Sequence, residues 1–365
     1  MRFQAIDVLR GITVTLMIIV NSPGNHETTF APLLHADWHG FTPTDWVFPT
    51  FLFVVGNAMC FSLTSSLAAG ARTYFYKVVK RASVIFLLGF LMYWFPFVQQ
   101  IDGQWALKPL AETRIFGVLQ RIALCYLFAS VLIYFIKEKG LLIFSAVALV
   151  GYWLLLLSFG DLSLQGNAVL KLDMWLLGSK HLYLGEGLPF DPEGLLSTLP
   201  AIVNVVGGYL VGKYIKERGV TFETIAKLLM AGVLLATIGL VWNWGFPINK
   251  KLWTSSFVLY TVGLDVIILS LLLYVIEIRK INRWTYFFEV FGKNTLFLYL
   301  ISEIGLTIFW IFNIGDKPIY QFLFTDVFSP LAGDYLGSFL FAFTWMMTCW
   351  TIGYCMDKKK IYIKV

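Results

Sequence analysis

Ten windows of about 20 mostly apolar residues recur along the chain, near 5–21, 45–69, 78–97, 114–136, 141–160, 194–215, 224–243, 253–278, 287–313 and 335–355. Each is about as long as a helix needs to be to cross a bilayer. Inside hydrocarbon every backbone N–H and C=O must be satisfied within its own segment, so such a chain is expected to fold as an all-α, polytopic transmembrane bundle of about ten spans. With 58% hydrophobic and 14% charged residues, an ordinary soluble domain is excluded. Residues 1–365 read as a single domain, because no internal repeat or low-complexity linker divides them. The inverted repeat of many secondary transporters is also not visible. Asp7 and Arg10 interrupt the first apolar run and no small-residue cleavage site follows closely, so the first helix is expected to be retained. Cys60, Cys125, Cys349 and Cys355 all fall within predicted spans, which indicates neither a disulfide framework nor a zinc site.

The net charge of +6 would suggest nucleic acid in a soluble protein, but here its distribution matters more. Counted alternately from the N-terminus, the loops on one side receive Arg2, Arg10, Arg72, Lys77, Lys80, Arg81, Lys137, Lys139, Lys213, Lys216, Arg218, Arg279, Lys280, Arg283, Lys358, Lys359 and Lys360. The other side has Lys108, Arg114, Lys171, Lys180, Lys250, Lys251 and Lys317. The excess of cations on cytoplasmic loops accounts for this asymmetry without a nucleic-acid partner, and predicts that both termini are cytoplasmic. The long loops 21–44 and 160–193 then face outward, and long loops in compact proteins are often functional.

Those outer loops hold every histidine: His26, His35 and His39 in the first, His181 in the second. Histidine titrates nearest neutral pH, so this gathering points to acid–base chemistry on one face, centred on His35. Taken alone, His35 also fits a hydrogen-bonding histidine at the membrane interface. The spacing of His35 and His39 would suit a metal on a helix, but Gly40 and nearby prolines argue against one there, so no metal is expected. Thr42, Pro43 and Asp45 have the chemistry of a helix start. Asp45 can in addition hold the second ring nitrogen of a histidine, and the two roles are compatible. Asp191-Pro192-Glu193-Gly194 repeats the cap-like arrangement, with Glu193 free to face an outer cavity.

Arg114 and Arg121 stand seven residues apart in RIFGVLQR, a spacing that predicts one helical face running into the membrane, as an ion pair or a ligand contact. Asn294 and Glu303 place polar groups in the ninth window, either lining the same cavity or bonding neighbouring helices. Trp38, Trp46, Trp105 and Trp175 are candidates to stack on sugar rings.

In order along the chain, DVLRGITVTLMIIVN (7–21), HADWHGFTPTDWVFPTFLFVVG (35–56), RIFGVLQR (114–121), HLYLGEGLPFDPEGLLST (181–198), GFPINKKLW (245–253) and KKKIYIKV (358–365) resemble the heparan-alpha-glucosaminide N-acetyltransferase family of transmembrane acyltransferases. The resemblance implies transfer of acetyl from cytosolic acetyl-CoA to the amine of a glucosamine on the far side of the membrane. It implies that His35, in the H-A-x-W motif, is catalytic, and that Asn21, Asp45 and Glu193 lie at or near the active site. Arg10, Arg114, Arg121 and Asn294 are then assigned to the coenzyme, and Trp38, His181 and Glu303 to the acceptor. The chain departs from a lysosomal member in reading Ile301-Ser302-Glu303 where that protein has Gly-His-Glu. It also starts directly at the catalytic region, for which a bacterial inner membrane with periplasmic histidines is the simplest expected home. A homodimer is the assembly the family suggests.

A thin acetylated arm threading between helices would bring a thioester to His35 while the polar coenzyme stays at the inner side. His35 would then act as base for direct attack or as acetyl carrier. Asn21 is expected to donate to the developing oxyanion and Arg121 to line the tunnel. The alternatives are a carrier moving amino sugars or small anions along the same polar path, and an acyltransferase with another donor or acceptor, such as a cell-wall sugar.

Overall fold

The computed structural model describes residues 3–63, 70–101 and 104–363. Arg2, the last six residues of the second apolar window (64–69) and the final two of the KKKIYIKV patch lie outside the described residues. The long helices are α1 (Gln4–Asn21), α2 (Pro43–Ser62), α3 (Ala71–Trp94), α4 (Val118–Phe135), α5 (Glu138–Phe159), α6 (Ala168–Leu177), α7 (Leu195–Arg218) and α8 (Phe222–Trp242). They continue with α9 (Ser255–Leu272), α10 (Thr285–Lys293), α11 (Thr295–Ile311) and α12 (Asp334–Lys358). Sheet is confined to two small antiparallel pairs, Val98–Ile101 with Gln104–Leu107 and Asn313–Ile314 with Lys317–Pro318.

Every apolar window is helical among the described residues, where fewer than ten helices have by themselves the length and hydropathy of a membrane span. Eight are long and apolar enough, and α10 with α11, bent by 82° at their junction, makes a ninth if the pair is one span. The exception is α3, whose first half carries Arg72, Lys77, Lys80 and Arg81. A second difference concerns RIFGVLQR, because α4 begins only at Val118. Arg114 therefore lies in the preceding loop, and it shares no helical face with Arg121.

Helices α5, α8 and α12 are only 28%, 33% and 28% buried over their apolar windows, so most of their surface is suited to lipid. At the centre, α2 lies against α7 with backbones almost touching. A Cβ added at Gly56 would fall 1.9 Å from the Val205 carbonyl oxygen, and one at Gly208 would fall 1.9 Å from that of Phe53. Only hydrogen fits at those two positions. This contact sets the loops that precede α2 and α7 beside each other. In a detergent melt, Gly208→Val is expected to cost about 1–3 kcal/mol through forced separation of α2 and α7. Gly151→Ala, in α5 with open space around its Cα, is expected to cost nothing.

Candidate active site

The side chain of Asp45 starts α2 and orients His35 together. Asp45 Oδ2 accepts from the Thr42 N–H at 3.0 Å, the Thr42 hydroxyl at 3.1 Å and the Ala36 N–H at 3.1 Å. Its Oδ1 lies 2.7 Å from His35 Nδ1. A carboxylate offers no proton, so Nδ1 carries the hydrogen and the Nε2 lone pair is left for a reactant. Asp45 is 1% exposed and His35 is 42% exposed, an arrangement of a buried orienter behind an accessible base.

The loop 243–254 contributes a residue not assigned from sequence. Lys250 Nζ lies 3.0 Å from His35 Nδ1, 3.1 Å from Nε2 and 3.8 Å from Asp45 Oδ1. Nearly equal distances set the ammonium against both ring nitrogens rather than committing it to one. The loop is firmly fixed: Asn249 Oδ1 accepts from the Leu252 N–H at 2.7 Å, and the Asn249 N–H donates to Thr254 Oγ1 at 3.0 Å. Trp253 adopts φ 53°, a strained value for a bulky residue, held by its indole bond to Asn204 at 3.0 Å. Burial and then Lys250 push the His35 pKa below the ordinary value, outweighing Asp45, which pulls it up. Burial lowers the Lys250 ammonium as well, against the attraction of Asp45 and Glu193. The detectable signal for Lys250 was a pair of lysines on the side that otherwise has few cations.

His39, four residues on, turns to Asn249 instead, 3.3 Å away. Among the described residues no group of three His, Cys, Asp or Glu side chains is arranged to hold a metal.

Beside this pair stands a second cluster. Arg114 donates to both oxygens of Asp191 at 2.9 and 2.7 Å and to Glu193 at 2.6 Å, with its guanidinium over the rings of Tyr93 and Tyr183. Burial pushes Asp191 up despite Arg114, whereas Arg114, Arg121 and Lys250 overcome burial and hold Glu193 down. Glu193 also acts electrostatically on His35 and Lys250, so the two clusters form one charged site. The cap expected from Asp191 and Glu193 is not found. The first-turn N–H of Leu195 donates to Asp173 Oδ1 at 3.1 Å, and burial raises the Asp173 carboxyl to about 7.

The remaining sequence candidates separate by position. Arg121 is fully buried, donates to Gly194 O at 3.0 Å and to Ser197, and lies over Trp253. His181 Nδ1 bonds the Thr113 carbonyl at 2.8 Å, bracing the segment that bears Arg114. Asn21 donates to Glu303 at 3.1 Å, and Glu303 acts electrostatically on Tyr93 and Tyr299. Ser302 is buried and donates to the Tyr299 carbonyl. Trp38 donates to the Leu162 carbonyl at 2.7 Å and meets Phe190 edge-on, while Trp46 donates to Asp265 at 2.8 Å. Trp105 and Trp175 are exposed.

A cavity of about 750 Å³ occupies the bundle interior. Arg10, Arg81 and Lys293 line it, together with Asp7, Val118 and Tyr299. Of the four residues assigned to the coenzyme, Arg10 lines this cavity; Arg114 and Arg121 do not. Asn294 acts behind the wall, holding Ile361 O at 3.0 Å and the Ile363 N–H at 2.9 Å, while Tyr362 and Ile363 face the cavity. Arg81 and Lys293 were not assigned from sequence: Arg81 read only as inner-side charge, and Lys293 falls inside the ninth apolar window. Lys293 pairs with Asp357 at 2.9 Å, whereas Arg81 lies over Tyr126 and its buried Nε has no hydrogen-bond partner among the described residues. That orphaned donor, beside two more cations in a mostly apolar cavity, fits a polyanionic ligand with a slender apolar arm.

Comparison with known proteins adds an independent finding. Residues 2–239 match the model of the family described as heparan-alpha-glucosaminide N-acetyltransferase, catalytic. Two curated proteins named heparan-alpha-glucosaminide N-acetyltransferase are similar to the chain. The Mus musculus protein is 28% identical over 364 residues, covering 83% of this chain and 53% of its own length. The Homo sapiens protein is 28% identical over 362 residues, with the same coverages of 83% and 53%. The chain thus spans about half the length of the curated relatives it matches. The family match takes in His35, Asp45, Arg114 and Glu193; Lys250, Asn294 and Glu303 lie beyond it.

The Arg114 clamp can be tested by itself. Arg114→Met leaves two buried carboxylates without their cation and is expected to cost about 3–5 kcal/mol in a detergent unfolding assay. Asp191→Asn in the Arg114→Met background should recover part of the loss, because it removes one of the stranded charges.

Proposed function

The chain belongs to the heparan-alpha-glucosaminide N-acetyltransferase catalytic family, and from that premise we propose that it is a membrane-bound acetyltransferase. Its donor is acetyl-CoA and its acceptor the amine of a glucosamine-type sugar. The observation that carries the proposal is a half-exposed histidine oriented by a buried carboxylate, in a bundle that also holds a cavity lined by Arg10, Arg81 and Lys293. Arg10, Arg81 and Lys293 take the phosphates, and the cavity's apolar length takes the pantetheine arm. The asymmetry of loop charge supports a multi-pass orientation with the phosphate end cytoplasmic and His35 towards the opposite side, the periplasm of a bacterial inner membrane.

His35 Nε2 accepts the proton of the acceptor ammonium while Asp45 steadies the ring and stabilises the imidazolium that forms. The freed amine attacks the thioester carbonyl, a C–N bond forms, the C–S bond breaks and the coenzyme thiolate leaves with a proton. Asn21, anchored on Glu303, is suited to donate to the oxyanion. In the two-step variant Nε2 itself takes the acetyl group before the amine does. The charged loop around Glu193 and the exposed Trp105 and Trp175 are the surfaces suited to the sugar.

With radiolabelled acetyl-CoA and glucosamine, wild-type protein in lipid is expected to label the sugar. His35→Ala should abolish transfer while leaving the melting curve and donor binding intact; equal loss of folded protein would assign His35 a structural role instead. Label retained on the protein in the absence of sugar would select the two-step route. The active ring is the uncharged one and its pKa lies below the ordinary 6.5, so kcat/KM should hold steady as the pH drops to that value and decline only below it. Arg81→Ala should raise KM for acetyl-CoA roughly tenfold, the scale of one charged hydrogen bond, with kcat little changed.

A further inference from the structure

We propose that Lys250 is a positioning residue for His35: its ammonium, held against both ring nitrogens and reaching Asp45, keeps the ring uncharged with Nδ1–H on Asp45. The inference rests on the role given to His35 above and extends it to a residue 215 positions away in sequence.

The geometry is specific. Buried Asp45 by itself would favour imidazolium, because a carboxylate 2.7 Å from Nδ1 stabilises the positive ring. A base that is already protonated cannot take a proton from an ammonium. Lys250 Nζ, 3.0–3.1 Å from both ring nitrogens and 3.8 Å from Asp45, opposes that charge at closest approach and takes part of the carboxylate's attraction.

The charged groups facing this pair come from three further directions. Asp45 belongs to α2, Glu193 to the loop before α7, and Glu186 with Lys251 to the rim, where they pair with each other at 2.6 Å. Lys251 also donates to the Asp37 carbonyl, so it is committed elsewhere. Lys250 is thus the cation presented to the imidazole, on a loop fixed by Asn249 and Trp253.

The ring can be read without any transfer assay. Diethyl pyrocarbonate acylates uncharged imidazole, so the rate of His35 modification against pH, followed by peptide mass spectrometry on the full chain in detergent, reports its titration midpoint. The wild-type midpoint is expected below 6.5. Lys250→Met should move it up by about one pH unit, Lys250→Arg should return it towards the wild-type position, and His39 in the same samples should stay put. An unchanged midpoint in Lys250→Met, or a wild-type midpoint at or above 6.5, overturns the proposal. Should Lys250→Met fail to fold, Lys250→Gln and the wild-type value decide. A shifted midpoint in a protein that transfers no acetyl group would retain the role of Lys250 and discard the transferase reading.

Discussion

The carboxylate of Asp45 is the interaction on which the site and the helix beneath it both depend. One oxygen closes the N-terminus of α2 on Thr42 and Ala36, and the other fixes the tautomer of His35. A helix start and a catalytic orienter are usually separate requirements, met by separate residues. Here the backbone N–H groups that need an acceptor and the imidazole that needs a partner share one. The helix cannot begin elsewhere without releasing the histidine.

Charge compensation extends from there as a chain of shared partners. Glu193 is claimed by Arg114, attracted by Lys250 and sensed by His35; Arg114 is shared again by Asp191 and two aromatic rings. In a medium of low dielectric such groups persist only while each has a counter-charge within reach. The cost of the arrangement is borne by loops at the ends of helices, where solvent still reaches some of the atoms. The interior cavity holds fewer charges and more apolar wall, as a channel for a long, thin substituent should.

Much of the fold was legible because hydrocarbon leaves the chain few choices: each apolar window in the described residues is a helix. His35 and Asp45 were legible for a related reason, being polar residues of the long outer loop 21–44 and of the recognisable helix start that follows it. Other features depended on geometry that spacing does not encode. Seven residues between Arg114 and Arg121 imply two turns of helix, yet α4 starts after Gly117, and the two guanidinium groups meet the 191–197 loop separately. The elbow at Asn294 falls in the short polar stretch Gly292–Thr295, which the long apolar window around it overrides. Lys250 reaches His35 through tertiary packing alone, Arg81 was masked by the many other cations of its side, and Lys293 was absorbed into an apolar window.

The backbone contact at Gly56 and Gly208 has a mechanical meaning. Two helices whose carbonyl oxygens sit where a methyl group would otherwise be cannot slide past one another without collision. Asp45 at the head of one and Glu193 just before the other are therefore carried on a single rigid frame. The cavity is lined by α2, from Phe51 to Ser62, and also by residues on both sides of the 82° elbow, Gly292 and Lys293 before it and Thr295 and Leu296 after it. Bending at that joint would alter the cavity without moving the two helix starts that carry Asp45 and Glu193.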